Sequence, residues 1–311
     1  MTDSVLIIGA GELGMCMLEA VAAHPLRPQV KRLSVLVRAP TADPAAPPEK
    51  QQAARRIQEL GAELETADVV RDSTEELAAL LSRYDTVLSC TGMELPPGTQ
   101  AKLADAALAG GVRRYFPWQY GMDYDAIGNG SSQQLFDEQL GVRAKLRAGT
   151  KTTEWVIVST GLFMSFLFVR DYGVVDLEAK TVRALGSWDR EITLTTPRDI
   201  GRVAAEAVLD PRDIKNQVVY TAGDTLTYGQ LADTLDAHYK TKFRRELWDE
   251  DTLRRQVEAN PADGYAKYRE VFGHGVGVAW PKSGTLNAQR SMAMTSVEDH
   301  LRETDIEFPR P

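Results

Sequence analysis

Three glycines near the start of the chain have a spacing typical of turns that bind phosphate groups. They follow the apolar run VLII and precede a helical pattern, as G-x-G-x-x-G. In such a turn the first glycine permits a tight bend, the second lets a pyrophosphate approach the backbone, and the third lets the helix pack on the strand. The following helix also directs unpaired N–H groups toward the phosphates. We therefore expect a dinucleotide to contact Gly9, Ala10, Gly11, Glu12, Leu13 and Gly14.

The end of the second apolar run distinguishes NADP from NAD. An acidic residue there accepts a hydrogen bond from the ribose 2′-OH of NAD, whereas a cation accommodates the 2′-phosphate of NADP. The run SVLVRAP has no acid and carries Arg38 at its tip, and Lys50 follows across a proline-rich loop. We predict NADP(H), held by Arg38 with Lys50 as a second contact. The alternative, that either cation is only a solvated surface residue, stays open.

Two later strand ends complete the expected cofactor site. In a doubly wound parallel sheet, ligands bind beyond the carboxyl ends of the strands. Thr91 and Gly92, in SCTG, follow the fourth predicted strand and are expected beside the adenosine or pyrophosphate. FPWQYG follows the fifth strand, where the nicotinamide would lie, and its expected contacts are Phe116, Pro117 and Trp118.

The elements that must position these residues alternate between strand and helix through the first half of the chain. Short apolar strands separated by helices predict an α/β fold with a doubly wound parallel Rossmann sheet. The predicted strands are Val5–Gly9, Leu33–Arg38, Glu63–Ala67, Thr86–Ser89, Arg114–Pro117 and Trp155–Ser159. The predicted helices are Gly14–Ala23, Lys50–Leu60, Thr74–Leu81, Gln100–Ala109 and Gln133–Ala148.

The second half is less regular and predicts a smaller substrate region interleaved with the sheet. KTVRALGSWDREITLTT has the pattern of a hairpin-like strand pair. A helix that begins at Pro197, the strand VVYTAG and the helix TYGQLADTLDAHY follow, and the chain beyond residue 240 is polar and mixed. We expect a cofactor domain over residues 1–160 and a substrate region over residues 161–311, from which segments near 190–225 return to the first domain.

The composition limits the partners. The 311 residues are enough for a sizeable core, and the net charge of −8 disfavours nucleic acid, whose phosphates need a basic surface. No apolar run approaches a membrane span, and the first one ends in the glycine turn, which indicates a strand and not a signal peptide. Cys16 and Cys90 are expected to be packing residues in a reducing cytoplasm, and no metal-ligand spacing occurs. The oligomeric state stays open, with a homodimer as one option.

Together these residues resemble the atypical short-chain dehydrogenase/reductases around isoflavone reductase and the NmrA-like proteins. The resemblance covers most of residues 4–225 and rests on the glycine turn, VLVR, the TG after the fourth strand, and RRYFPWQYG, which is similar to that family's RFFPSEFG. WVIVSTGLFMSF matches the segment that follows. The most similar subgroup is described as CipA-like or aromatic alcohol reductase-like. The resemblance implies NADPH-dependent reduction of phenylpropanoid-like or other small aromatic compounds.

The acid–base residues implied by that resemblance are partly missing. In the usual Tyr-x-x-x-Lys pair the lysine lowers the pKa of a general-acid tyrosine, but none of the ten tyrosines here has lysine four residues later. The isoflavone reductase type instead carries a lysine in a pattern like F-x-x-K-x-x-I-R-R. Phe136 and Arg143 fit that pattern, and Gln139 occupies the lysine position. Lys145, six residues later, faces another side of the helix and is a poor replacement.

Several residues are candidates for donating or orienting the proton. Tyr124, in GMDYDAIG beyond the fifth strand, is our first choice, because a phenol is a neutral donor at pH 7; the alternative is a loop-anchoring aromatic. Gln139 is the second choice, although an amide stabilises charge and does not readily give up a proton. Asp123 and Asp125 fit turn residues. His274, between glycines, is more often a loop residue than a catalyst.

The aromatic stretch GLFMSFLF offers an apolar wall for a flat substrate, although part of it must be core. Two functions are compatible with the sequence. One is a reductase that passes hydride from NADPH to an aromatic carbonyl, alcohol derivative or conjugated double bond, and the other is a non-catalytic NADP(H)-sensing regulator. The substrate region favours the reductase, which we prefer, and the missing lysine favours the regulator. The expected substrate contacts are Tyr120, Phe163, Met164, Phe166 and Phe168.

Overall fold

A computed structural model describes residues 2–39, 47–92, 95–149 and 153–304 of the chain. The chain passes several times between two units, which we call unit one and unit two. Unit one comprises Met1–Tyr120, Glu138–Val158 and Ile200–Val219. Unit two comprises Gly121–Asp137, Ser159–Asp199 and Tyr220–Pro311.

A seven-stranded sheet is the framework of unit one, and it confirms the predicted Rossmann-like α/β fold. Its order is β11-β6-β5-β4-β1-β2-β3, and the pairs from β3 through to β6 are parallel. Helices cover such a sheet on both faces, which explains why its central strands are continuous apolar runs. In chain order its strands are β1 (Ser4–Ile8), β2 (Arg32–Val37), β3 (Glu63–Thr66), β4 (Thr86–Ser89), β5 (Arg114–Phe116), β6 (Glu154–Ser159) and β11 (Gln217–Tyr220).

The helices that lie wholly or mostly in unit one follow the predicted alternation. Only the start of the last predicted helix is far off, since that helix begins at Asp137 and not at Gln133. Ser132, Gln133 and Gln134 have φ values of 42°, 56° and 66°, a left-handed conformation that cannot continue a right-handed helix. The helices are α1 (Glu12–Ala23), α2 (Pro48–Glu59), α3 (Thr74–Leu81), α4 (Thr99–Ala109), α6 (Asp137–Ala148) and α7 (Pro197–Leu209).

The described part of unit two contains two small three-stranded sheets, ordered β12-β10-β7 and β13-β9-β8. The predicted hairpin over residues 180–196 is wrong. Both of its strands, β9 and β10, exist, but β9 pairs in parallel with β13 and β10 pairs antiparallel with β12, so they belong to different sheets. The strands are β7 (Leu162–Phe163), β8 (Val175–Asp176), β9 (Thr181–Leu185), β10 (Glu191–Thr195), β12 (Asp224–Thr227) and β13 (Arg244–Trp248).

The segment beyond residue 240 is more regular than its mixed composition indicates, since it folds into a strand and several helices. No helix among the described residues is both long and apolar enough to cross a membrane. The same residues contain no cluster of three or more histidine, cysteine or acidic side chains suited to a metal ion. The helices of unit two are α5 (Tyr124–Ile127), α8 (Tyr228–Tyr239), α9 (Glu250–Ala259), α10 (Gly264–His274), α11 (Leu286–Gln289) and α12 (Val297–Thr304).

Candidate cofactor and active site

The three glycines of the first turn have three different environments. Gly9 has a φ of 99°, which residues with a side chain rarely adopt, and its N–H donates to the Leu36 carbonyl at 2.9 Å. A Cβ at Gly14 would lie only 2.1 Å from the Gly9 carbonyl oxygen, so glycine is needed where α1 packs on β1. A Cβ at Gly11 would meet no described atom within 4 Å. The backbone of Gly11 therefore faces open space that a phosphate group can enter.

The N-terminus of α1 is suited to an anion. Gly11 is its N-cap residue and has no side chain with which to bond the N–H groups of the first turn. These groups carry the positive end of the helix dipole, which favours a phosphate. Leu13 is buried behind the turn, whereas Glu12 and Gly11 are exposed at its outer side. An open backbone beside the positive end of a helix is the arrangement expected for a pyrophosphate, and the contact at this turn stays a prediction.

Arg38 lies exposed directly after β2, where no acidic residue is present. The Val70 backbone N–H holds the pKa of the Asp68 carboxyl below its usual value, and the positive charges of Arg71 and Arg38 add to that effect. Lys50 is half-buried in the first turn of α2. Residues 40–46, which connect β2 to α2, lie outside the described residues. The contact of Arg38 with a 2′-phosphate stays a prediction.

The ends of β4 and β5 are joined by a contact between Gly92 and Trp118. A Cβ at Gly92 would lie 2.2 Å from Cδ2 of the Trp118 indole, so the ring packs directly on the glycine backbone. The Thr91 carbonyl accepts a hydrogen bond from Gln100 Nε2 at 2.9 Å. Thr91, Gly92 and Trp118 each keep some exposed surface, so all three remain available to a ligand at this edge of the sheet.

Other residues of FPWQYG are interior. Phe116 is fully buried, with its ring 5.5 Å from the Arg114 guanidinium, and Pro117 is buried after it. Tyr120 is only 6% exposed and its hydroxyl faces Cys90. Burial raises the pKa of Tyr120 well above its usual value and that of Cys90 to about 12. The ring therefore packs inside unit one, and the expected substrate contact at Tyr120 stays a prediction.

Gln139 lies in the first turn of α6, which two sets of hydrogen bonds hold in place. Glu138 accepts from the backbone N–H of Gln100, at the start of α4, at 2.9 Å. Gln119 Nε2 donates to the Gln139 carbonyl at 2.8 Å, and Gln119 Oε1 accepts from Arg143 Nε at 2.7 Å. We call Gln119, Gln139 and Arg143 the Gln119 clamp. Gln139 Oε1 is itself buried and has no hydrogen-bond partner within the described residues.

The sequence interpretation missed Gln119, although a signal was present. Gln119 is the position at which RYFPWQYG differs in charge from the similar motif RFFPSEFG, which has glutamate. Gln119 and Arg143 are 1% and 0% exposed. A charge-changing difference at a fully buried position affects every group that it contacts.

Lys145 and His274 lie on the surface of their units, and each side chain lies beside a carboxylate. Lys145 Nζ pairs with both carboxylate oxygens of Asp105 at 2.8 and 2.9 Å, which agrees with its expected position on another face of α6. His274 ends α10, and its ring is 3.9 Å from Glu250. Its carbonyl accepts a hydrogen bond from Arg190. Since His274 is a helix-terminal residue at the surface, its position gives no support to a catalytic role.

Tyr124 is the first residue of the short helix α5, in a segment expected to be a loop. It is 3% exposed, and its ring lies 4.8 Å from that of Phe136. Its hydroxyl packs against Gly121, at 2.4 Å from where a Cβ would stand. Asp123 caps α5 through its side chain and accepts a hydrogen bond from the Tyr220 hydroxyl at 2.7 Å. Tyr124 is therefore held firmly, with its phenol directed to the backbone that follows FPWQY.

The side chains of the aromatic stretch divide by burial. Met164 and Leu167 are fully buried in unit two. Met164 packs in the interior of unit two, and its expected contact with substrate stays a prediction. Phe163, Phe166 and Phe168 keep exposed surface.

Comparisons with known proteins agree with this architecture. The model of the NmrA-like family matches residues 1–284. A protein of Gibberella moniliformis, named NmrA-like family domain-containing oxidoreductase, is 53% identical over 308 residues, which cover 98% of this chain and 99% of that protein. A crystal structure of isoflavone reductase aligns with a TM-score of 0.78 at 20% identity, over 98% of this chain and 100% of its own. The binary complex of leucoanthocyanidin reductase with NADPH, from Vitis vinifera, has a TM-score of 0.78 at 19% identity and the same coverage. These structures share the fold of this chain.

Proposed function

Because the chain belongs to the NmrA-like family, we propose that it is an NADPH-dependent reductase of a small, phenylpropanoid-like aromatic compound. Its substrate would be a carbonyl, an alcohol derivative or a conjugated double bond. The observation that carries the proposal is the turn over Gly9–Gly14, which is open at Gly11 and closely packed at Gly14. The oxidoreductase name of the similar Gibberella moniliformis protein and the NADPH complex of leucoanthocyanidin reductase support it.

The cofactor would be held mainly by unit one. The pyrophosphate would accept hydrogen bonds from the first turn of α1, next to Gly11. Arg38, with Lys50, would pair with the 2′-phosphate, and Thr91 and Trp118 would contact the rest of the dinucleotide. Bound NADPH supplies the hydride, and the protein orients the reacting groups.

Gln139 would accept a hydrogen bond from a hydroxyl group of the cofactor ribose or of the substrate. Its Oε1 is buried and lacks a donor among the described residues. A buried acceptor in that state costs about 1–3 kcal/mol, so a ligand hydroxyl that donates to it would be favoured. The amide can orient a ligand in this way but does not replace a lysine as a cation.

Tyr124 remains our proposed proton donor. Reduction of a carbonyl leaves an oxyanion, which must be protonated or stabilised by a donor. The ring of Tyr124 packs against that of Phe136, and this contact restrains the orientation of the phenol. Its segment follows FPWQY directly along the chain.

The proposed apolar wall consists of Phe163, Phe166 and Phe168. These three rings are partly exposed, whereas Met164 and Leu167 between them anchor the segment in the core of unit two. Flat, apolar surfaces with few polar groups suit an aromatic ligand.

The second candidate function is an NADP(H)-binding regulator without turnover. Two observations favour it: Gln139 stands at the position of the expected lysine, and Lys145 is engaged by Asp105 on another face of α6. This candidate needs the same cofactor site but no proton donor.

A turnover assay separates the two candidates. The protein is incubated with NADPH and a panel of aromatic aldehydes, ketones and enones, and the absorbance of the reduced nicotinamide is followed. In parallel, NADPH binding is measured by fluorescence. Binding with substrate-dependent oxidation supports the reductase. Binding without oxidation across the panel supports the regulator, and absence of binding contradicts both.

A further inference from the structure

The Gln119 clamp joins the segment after β5 to the first turn of α6 through a single side chain. Gln119 Oε1 accepts from Arg143 Nε at 2.7 Å, and Gln119 Nε2 donates to the Gln139 carbonyl at 2.8 Å. Gln119 is 1% exposed and Arg143 is fully buried, so water does not compete for these bonds. The amide orientation follows from its neighbours, because a guanidinium only donates and a carbonyl only accepts.

An amide is the group that satisfies both neighbours at once. A carboxylate at position 119 would still accept from Arg143, but it would set an oxygen against the Gln139 carbonyl oxygen. An apolar side chain of similar length would satisfy neither neighbour. The clamp fixes the backbone at residue 139, from which the buried, unpartnered Oε1 of the Gln139 side chain extends.

We propose that Gln119 is a positioning residue of this protein, which sets the orientation of Gln139 toward its ligand by holding the first turn of α6. The expected fall in kcat rests on the proposed reductase function. The expected loosening of the first turn of α6 does not. A displacement of about 1 Å at a group that orients a reactant lowers turnover by as much as about 100-fold. The loss of the clamp therefore affects kcat more than it affects cofactor affinity, most of which comes from the glycine turn.

The experiment compares Gln119→Met and Gln119→Glu with the wild type and with Lys102→Met. Lys102 Nζ also makes two hydrogen bonds within unit one, to the carbonyls of Val70 and Asp72 at 2.9 and 2.8 Å. Neither bond involves a residue of the Gln119 clamp. It controls for loss of stability alone. Each variant is measured for thermal midpoint, NADPH Kd, kcat, KM, and backbone hydrogen exchange in α6.

We expect both Gln119 variants to lower kcat at least tenfold, with NADPH Kd changed less than threefold, and to speed exchange at residues 139–143. Lys102→Met should leave kcat and that exchange unchanged. A kcat within twofold of wild type for Gln119→Met, or an equal loss in Lys102→Met at the same stability, would overturn the inference. If the wild type binds NADPH but reduces no substrate, the proposed function fails, and unchanged exchange in α6 would still refute the clamp separately.

Discussion

Substitution of Gly11 by alanine should abolish tight NADPH binding without destabilising the fold. The backbone of Gly11, with φ −75° and ψ −172°, is accessible to any residue, and an added Cβ would meet no described atom within 4 Å. The free energy of unfolding should therefore change by less than about 0.5 kcal/mol. The new methyl group would occupy the space into which the pyrophosphate must come. We expect NADPH affinity to fall at least about tenfold, or about 1.4 kcal/mol.

Gly14→Ala provides the matched contrast, because it adds the same methyl group three residues away. There the Cβ would lie 2.1 Å from the Gly9 carbonyl oxygen, about 1.3 Å inside an ordinary contact of 3.4 Å. The Cβ is attached directly to the backbone of α1 and the oxygen belongs to the backbone of Gly9, so the two backbone segments must separate. Overpacking of this kind typically costs about 1–3 kcal/mol. The variant should melt several degrees lower than the wild type.

Thermal unfolding and calorimetric titration with NADPH, applied to both variants, check this reasoning. The expected pattern is a stable Gly11→Ala protein that does not bind tightly and a destabilised Gly14→Ala protein. Wild-type affinity for NADPH in Gly11→Ala would refute the placement of the pyrophosphate. A Gly14→Ala protein as stable as the wild type would refute the packing argument.

Three further substitutions or modifications test individual residues. Arg38→Ala should weaken NADPH binding by about 10- to 100-fold and leave NADH binding unchanged by calorimetry, since charge-assisted hydrogen bonds contribute about 1.5–3 kcal/mol; equal loss for both cofactors would argue against a 2′-phosphate contact. Tyr124→Phe should lower turnover about 100-fold in steady-state kinetics while NADPH still binds; near-full turnover would place the proton donor elsewhere. Native Cys90 should resist iodoacetamide at pH 8 in peptide mass spectrometry, because burial raises its pKa to about 12 and leaves little thiolate; rapid labelling of the folded protein would contradict this.

The sheet could be predicted from the sequence because its elements are specified locally. The apolar run at Ser4–Ile8 is buried on both faces, and Ser73 and Glu76 form a capping box that marks the start of α3. Such patterns depend on near neighbours in the chain, so they can be read without knowing the fold.

Features set by distant contacts could not be predicted in the same way. The strands β9 and β10 were visible in the sequence, but their partners, β13 and β12, follow later in the chain and decide the pairing. The start of α6 was missed because Ser132–Gln134 are left-handed without any glycine. Side-chain entropy and propensity give no sign of such a conformation, which surrounding structure must impose.

The same distinction between local and distant contacts applies to the candidate site. The roles of Gly9 and Gly14 follow from a motif whose geometry is local, and the structure gives both the close packing that the motif predicts. By contrast, the burial of Tyr120 beside Cys90 and the bonds of Gln119 to Arg143 depend on how β5, β4 and α6 meet. Residue types alone did not separate Tyr120, which is interior, from Trp118, which remains partly exposed.

The central claim is most directly tested by following the hydride itself. NADPH with deuterium in place of both hydrogens at C4 is incubated with the protein and with the aromatic compound that gives the fastest oxidation, and the product is analysed by mass spectrometry. The proposed function predicts one deuterium at the reduced carbon of the product, and less of this labelled product at low NADPH concentration when Gly11→Ala replaces the wild type. A product without deuterium, or no product from any compound although NADPH binds, would contradict the assignment of this chain as a reductase.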